Sequence, residues 1–145
     1  MRIRPATIAD IERCERLDGS YATSFVWHVS QSVDTDSIGL AFRRMRLPRS
    51  MEIAYPRSIE DLYENWQRGE CFLVADDFAT ILGYLDLRVS RWQWIGLVEH
   101  LVVDRPHRRQ GVATRLLRAA EHWAKGSGLG TITVALQIKN DPGVC

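Results

Sequence analysis

The spacing of apolar side chains changes period several times along the chain, and each change marks an element. Ile3 stands in a short strand closed by Pro5. Thr7 followed by Asp10 has the form of a capping box, with Asp in place of the usual Glu. Ile11, Cys14 and Leu17 then recur at helical spacing until Gly19 stops them. In the region 23–49 the period falls to two. Phe25, Trp27 and Val29 alternate with polar or smaller residues, the Ser/Asp/Thr-rich stretch 30–37 is turn-like, and Ile38, Leu40 and Phe42 form a returning strand that ends by Pro48. Helical spacing returns over 58–68. Ser58 caps with Asp61 three residues later, Ile59, Leu62, Tyr63 and Trp66 make the stripe, and Gly69 terminates it.

Three strands follow, at 71–75, 80–89 and 94–103, joined by the Asp76-Asp77 turn and the turn at 90–93. Connections this short predict an antiparallel meander. Residues 112–125 form a long amphipathic helix with Ala113, Leu116, Leu117, Ala120 and Trp123 or Ala124 inward. Gly126, Gly128 and Gly130 break it, and a strand at 131–136 runs parallel to the strand before the helix. A strand, loop, helix and strand in that order make a βαβ crossover. The fold class is α/β with a mixed sheet, an antiparallel meander leading into a parallel pair. No internal repeat is visible.

Composition narrows the class. With 145 residues, 46% hydrophobic and 26% charged, the chain forms one folded domain, 1–145, rather than a disordered segment. A net charge of +1 removes any global polyelectrolyte argument for nucleic acid or membrane. The cations are unevenly placed: five arginines and no acid lie between Arg105 and Arg118, and five arginines face Glu52 alone between Arg43 and Arg57. Arginine favours planar anions such as phosphates and carboxylates. Cys14, Cys71 and Cys145 have neither metal-ligand spacing nor the look of a disulfide framework, and Cys14 reads as a small buried hydrophobe. With no signal core and no membrane-length apolar run, the expected location is the cytoplasm, with no metal.

The segment 103–113 carries the chemistry. An apolar strand ends at Val103, a basic loop follows, and a helix opens on small residues at Gly111 and Ala113. Unpaired amides at a helix start, with the positive end of its dipole, suit an anion. No Gly-Lys-Ser/Thr follows, so this is not a nucleotide P-loop, and the first glycine of the dinucleotide fingerprint is missing. From spacing alone two readings stand: a phosphate cradle, or an ordinary strand–helix turn with solvated arginines.

The string VEHLVVDRPHRRQGVATRLLRAAEHWA resembles motif A of the GNAT superfamily of N-acetyltransferases, whose R/Q-x-x-G-x-G/A is matched by Arg108, Gly111 and Ala113. The order of elements agrees, and Asn140 resembles the Asn that follows the fifth strand in that family. The specific match covers the C-terminal third, and its local flavour is nearest the streptothricin-type and small-molecule acetyltransferases. The resemblance implies the GNAT acyl-CoA N-acyltransferase fold, with an acetyl-CoA-binding core at 94–140 and an acceptor-side segment at 23–57. It further implies an enzyme moving acetyl from acetyl-CoA to a primary amine by direct attack in a ternary complex. By position, the backbone of Leu101, Val102 and Val103 would pair with pantetheine. The backbone of Arg109, Gln110, Gly111, Val112, Ala113 and Thr114, with Arg108 beside it, would hold the pyrophosphate, and Asn140 would lie near the thiol arm. An open strand edge satisfies pantetheine amides, and a helix N-terminus suits a diphosphate. Asn140 also reads as a turn residue before Pro142.

Glu99 is the candidate base, because it interrupts an apolar strand and strict alternation puts it on the face of Leu97, Leu101 and Val103, with His100 opposite. A salt bridge to Arg88 or Arg91 is the competing reading, and a structural imidazole is the plainer reading of His100. An amide near Val102 or Val103 is the expected oxyanion donor. Compared with the family, the general-acid Tyr would fall beyond Cys145, Ala135 stands where some relatives carry a catalytic Glu, and the closing helix and strands are missing. An exposed edge after the fifth strand is therefore expected, with a homodimer through it. The acceptor stays open between a small amine and a protein N-terminus or lysine. Trp27, Tyr55, Trp92 and Trp94 read as an aromatic wall or as core, Arg43, Arg44, Arg46 and Arg49 as an anion reader or a solvated edge, and Asp34, Asp36, Asp76 and Asp77 as turn residues or as an acidic mouth suited to a cationic aminoglycoside or polyamine. A non-catalytic CoA-binding module is the alternative. RNA binding is disfavoured because no aromatic interleaves the arginines of 105–118.

Overall fold

All six residues of the strand Cys71–Asp76 are buried, the mark of a sheet covered on both faces. The computed structural model describes residues 1–144. In order, the elements are β1 (Arg2–Pro5), α1 (Ile8–Glu15), β2 (Tyr21–Val33), β3 (Ile38–Ile53), α2 (Leu62–Gln67), β4 (Cys71–Asp76), β5 (Ile81–Ser90), β6 (Ile95–Val103), α3 (Val112–Gly126), β7 (Thr131–Val134) and the short α4 (Asp141–Val144). They fall into two units, residues 1–19 with 55–135, and residues 20–54 with the segment from Leu136 on.

The first unit is built on a sheet ordered β1-β4-β5-β6-β7, antiparallel except for the parallel pair β6–β7. Side-chain alternation along β4 splits its residues between two cores. Cys71, Leu73 and Ala75 join Leu85, Leu87 and Val98 under Val112, Leu116, Ala120 and Ala124 of α3. Phe72 and Val74 join Tyr84 and Val102 under Ile11 and Cys14 of α1 and Leu62 of α2. α3 turns one face inward at every fourth residue, as the pattern predicts. The capping box at Thr7 is present, with Asp10 as its acid. Cys14 and Cys71 are buried free thiols, pushed up to about 12 by burial. Cys145 lies outside the described residues.

The second unit is a long antiparallel hairpin, β2 on β3, turned at Asp34 where its amide donates to the Ser37 carbonyl. The expected end of the returning strand at Pro48 is corrected: β3 runs on to Ile53. Pairing resumes because Pro48 sits where the register shifts, between Arg46 opposite Phe25 and Met51 opposite Thr23, and a proline there withholds no ladder bond. Trp27 Nε1 and the Arg44 guanidinium all donate to Asp141, at 3.1, 2.7 and 2.7 Å.

Two smaller expectations also change. Residues 58–61 precede α2 rather than forming its first turn. Asp76 is no turn residue: it closes β4, 3% exposed, and accepts from Arg2 and Arg4. Asp77 does serve the turn, accepting from the amides of Ala79 and Thr80.

Candidate active site

The parallel partner of β6 is short. β7 pairs with Ile95 through Val98 and ends there, so from Glu99 onward one edge of β6 carries no strand among the described residues. The other edge stays paired with β5 as far as Val103. Because the Asp104 amide donates to the Leu82 carbonyl, alternation turns the peptide groups of Val102 toward β5 and those of Leu101 and Val103 outward. Of the three residues expected to offer backbone to pantetheine, Leu101 and Val103 therefore face the open edge, while Val102 spends its backbone in the ladder. The same alternation moves the outward amide from Val102 to its neighbours.

Beyond Val103 the chain makes a 3-10 turn, Arg105–His107, capped by Asp104, whose carboxylate accepts from the Arg105 amide at 3.1 Å. Arg108 braces the loop: its Nε donates to the Val103 carbonyl at 2.8 Å and its terminal nitrogen to the Asp18 carbonyl at 2.5 Å. Gln110 Nε2 donates to the Pro106 carbonyl at 3.1 Å. Arg109 and Gly111 both take the left-handed conformation, at φ 62° and 79°. Gly111 is the N-cap of α3 and has no side chain to cap it. A Cβ built on Gly111 meets nothing within 4 Å. The first-turn amides of Val112, Ala113 and Thr114 lie at the positive end of a four-turn helix. A helix start of this kind suits an anion, and Arg109 is exposed beside it.

Glu99 departs from the expected geometry. Asp86 pairs with His100, but Leu87 pairs with Val98, so Glu99 is the extra residue of a β-bulge. The bulge breaks alternation: Val98, Leu101 and Val103 pack on the α3 side, whereas Glu99 reaches Arg68 at 2.8 Å and Arg88 at 2.9 Å. It does not share a face with Leu101 and Val103. His100 is buried, with Nδ1 2.9 Å from Asp86 and Nε2 3.0 Å from the Ser58 carbonyl.

On the α1–α2 face of the same sheet lies a cavity of about 290 Å³, lined by Leu17, Gly19, Tyr55, Arg57, Ser58, Ile59, Glu60, Tyr84 and Val102. The Tyr84 hydroxyl is buried and makes no hydrogen bond among the described residues, and burial pushes its ionisation well above the usual phenol range. Burial pushes Tyr55 up to about 12, against the opposing pull of Arg57 and of the Leu101 amide, so both phenols stay protonated. Sequence reading passed over Tyr84 and Glu60, because nothing in their spacing separates a cavity lining from a core or a helix cap. Of the proposed aromatic wall only Tyr55 lines this cavity. Trp92 and Trp94 are exposed in the turn before β6, and Trp27 belongs to the second unit. Asn140 also belongs to the second unit, where its Oδ1 accepts from the Gly143 amide as a turn residue.

The sequence pattern of the acetyltransferase (GNAT) family matches residues 24–144. The chain is 26% identical over 146 residues to a streptothricin acetyltransferase of Streptomyces lavendulae, an alignment covering 97% of this chain and 75% of that protein. It is 36% identical over 62 residues to a streptothricin acetyltransferase of Escherichia coli, covering 43% and 35% of the two chains. The crystal structure of nourseothricin acetyltransferase superposes with a TM-score of 0.81 at 24% identity, over 99% of this chain and 77% of that one. A Bacillus anthracis protein designated a streptothricin acetyltransferase, solved in complex with acetyl coenzyme A, superposes at 0.74 and 20% identity, over 99% and 78%. These two likenesses are of fold. They agree in kind with the mixed sheet and its parallel pair.

Proposed function

The chain belongs to the GNAT acetyltransferase family, the acetyl-CoA-dependent N-acetyltransferases, and we propose that it acetylates a primary amine by direct attack within a ternary complex. The observation that carries this reading is the open edge of β6 running into an uncapped helix start at Gly111. Acetyl-CoA supplies an acyl group activated as a thioester. The outward Leu101 carbonyl and Val103 amide would align its pantetheine arm as an added strand, the Val103 carbonyl being held by Arg108. The amides of Arg109, Gln110, Gly111, Val112, Ala113 and Thr114 would hold the diphosphate. Arg108 acts one step back, locking the loop to Val103 and Asp18. Asn140 is the proposed neighbour of the thiol arm.

The acceptor would enter the cavity under Tyr55, Tyr84 and Glu60 on the other face of β6. The outward Leu101 amide, already within reach of Tyr55, is the proposed donor to the thioester carbonyl. Glu99 is the proposed base. Both its oxygens are engaged by guanidinium groups, so it would take the amine's proton through water. The acceptor class is a small cationic amine, by likeness to the streptothricin acetyltransferases.

Thiol release on adding nourseothricin and acetyl-CoA to the purified protein tests this reading. Calorimetric acetyl-CoA binding with no thiol release across a panel of amines and N-terminal peptides would replace it with a non-catalytic CoA-binding module.

A further inference from the structure

Three polar side chains are sealed between the sheet and α2: Asp86 is 2% exposed, His100 5% and Asn65 7%. Asn65 Nδ2 donates to one Asp86 oxygen at 2.6 Å, and His100 Nδ1 lies 2.9 Å from the other. His100 Nε2 lies 3.0 Å from the Ser58 carbonyl. A carboxylate and a carbonyl only accept, so each ring nitrogen faces an acceptor. A neutral imidazole carries a single N–H and would leave one nitrogen lone pair against an oxygen lone pair in a buried site. An imidazolium satisfies both contacts at once.

Ser58 belongs to the cavity wall, with Arg57, Ile59 and Glu60, and this wall precedes α2 in neither helix nor strand. We propose that His100 is a positioning residue: as an imidazolium donating from both ring nitrogens, it fastens the wall at Ser58 to β6, and the wall loosens when the ring gives up a proton. The acceptor role of that wall rests on the function proposed above; the fastening does not.

The groups facing the ring are Asp86 from β5, Arg57 from the wall, and the phenols Tyr55 and Tyr84, whose ring centres lie 6.0 and 6.3 Å away. Burial by itself disfavours the charged ring. The hydrogen bond and charge of Asp86 and the Ser58 carbonyl outweigh burial and Arg57 together, and the net direction is above the ordinary 6.5. The wall is therefore fastened at and below that value and released as pH rises through the raised one.

Two substitutions separate the two bonds. In His100→Gln the side-chain amide reaches the place of Nε2, donates to Ser58 and does not titrate. In His100→Asn the amide reaches only the place of Nδ1, keeping Asp86 and leaving Ser58 unbonded. Hydrogen exchange of residues 57–61 is read at pH 6 and pH 9 in the free protein, as protection relative to intrinsic rates. Wild type should lose at least tenfold protection at pH 9, His100→Gln should hold the same protection at both, and His100→Asn should be unprotected at both. Nitrogen-15 spectra of labelled histidine should show two N–H groups on His100 at pH 6. A ring with one N–H at pH 6, or wild-type protection that does not change as the nitrogen-15 spectra show His100 losing its second N–H, overturns the proposal, and both are read on wild type should a variant fail to fold. If bound nourseothricin leaves exchange at 57–61 unchanged, the acceptor assignment falls and the His100 result stands independently.

Discussion

Glu99 and Arg88 bond at 2.9 Å although Arg88 pairs with Leu97 in the ladder and Glu99 pairs with nothing. The bulge that frees Glu99 from the ladder also turns it toward Arg68, which joins Arg88 at its carboxylate. If Glu99 takes the proton of the acceptor amine, Glu99→Gln should lower kcat about 100-fold, within the range for a general base. Acetyl-CoA affinity by calorimetry should stay as it was. An unchanged kcat would leave Glu99 as a clamp on Arg68 and Arg88 only.

At Gly111 the left-handed φ of 79° is combined with clear space where a side chain would project. Gly111→Val would cost about 1–2 kcal/mol in backbone strain and fill the proposed diphosphate site. Acetyl-CoA Kd should rise at least tenfold. Equal Kd values for wild type and variant would remove the helix start from cofactor binding.

Arg4 bridges Asp10 at 2.6 Å and Asp76 at 2.6 Å, tying β1 to α1 and β4. Both carboxylates are 3% exposed, so Arg4→Met leaves the buried Asp10 charge without its cation, while Asp76 keeps Arg2. The expected loss is about 3 kcal/mol, the low end for breaking a buried pair, because a quarter of the Arg4 side chain remains in water. Urea unfolding at pH 7 measures it; a loss under about 0.5 kcal/mol, the size typical of surface changes, would show the cluster to be solvated.

The same cluster sets the acid limit. Hydrogen bonds from Arg2 and then Arg4, against the cost of burial, hold Asp76 at about 2, and Arg4 holds Asp10 lower still. Carboxylates depressed in the folded state contribute stability above their ordinary 3.8 and lose it as pH falls through the folded value. The urea midpoint should therefore fall steeply between pH 4 and about 2, and less steeply in Arg4→Met. A parallel fall in both proteins would place the acid sensitivity elsewhere.

β7 ends the strand order and pairs with β6 alone among the described residues. A dimer joined edge to edge at β7 would appear by light scattering at twice the 16.6 kDa of the chain. Val134→Lys, placing a charge on that edge, should return it to a monomer. Wild type monomeric at high concentration would end the dimer proposal.

The strand–loop–helix at 95–126 was legible in the sequence because its signals are local. An apolar run stops at Val103, glycine stands where the helix begins, and apolar residues recur every turn along α3. Side-chain period and capping depend on neighbours a few residues away, so they survive without tertiary context. The placement of Glu99 did not survive. Strict alternation put it with Leu101 and Val103, and one extra residue between Val98 and His100 moved it to the other face. A bulge is set by the register of β5, which no residue of β6 reports. The extension of β3 past Pro48 escaped for the same reason, being permitted by an irregularity opposite Ser24.

The chain's own order of residues thus determined its family, its sheet order in outline and the helix start at Gly111 proposed to hold an anion, each written in contiguous stretches. Only the tertiary structure decided which backbone groups of β6 face outward, that β7 stops short beside them, and that Tyr55, Tyr84 and Glu60 line one cavity. Those relationships join residues tens of positions apart, and they exist only once packing has brought the strands and the 55–60 segment together.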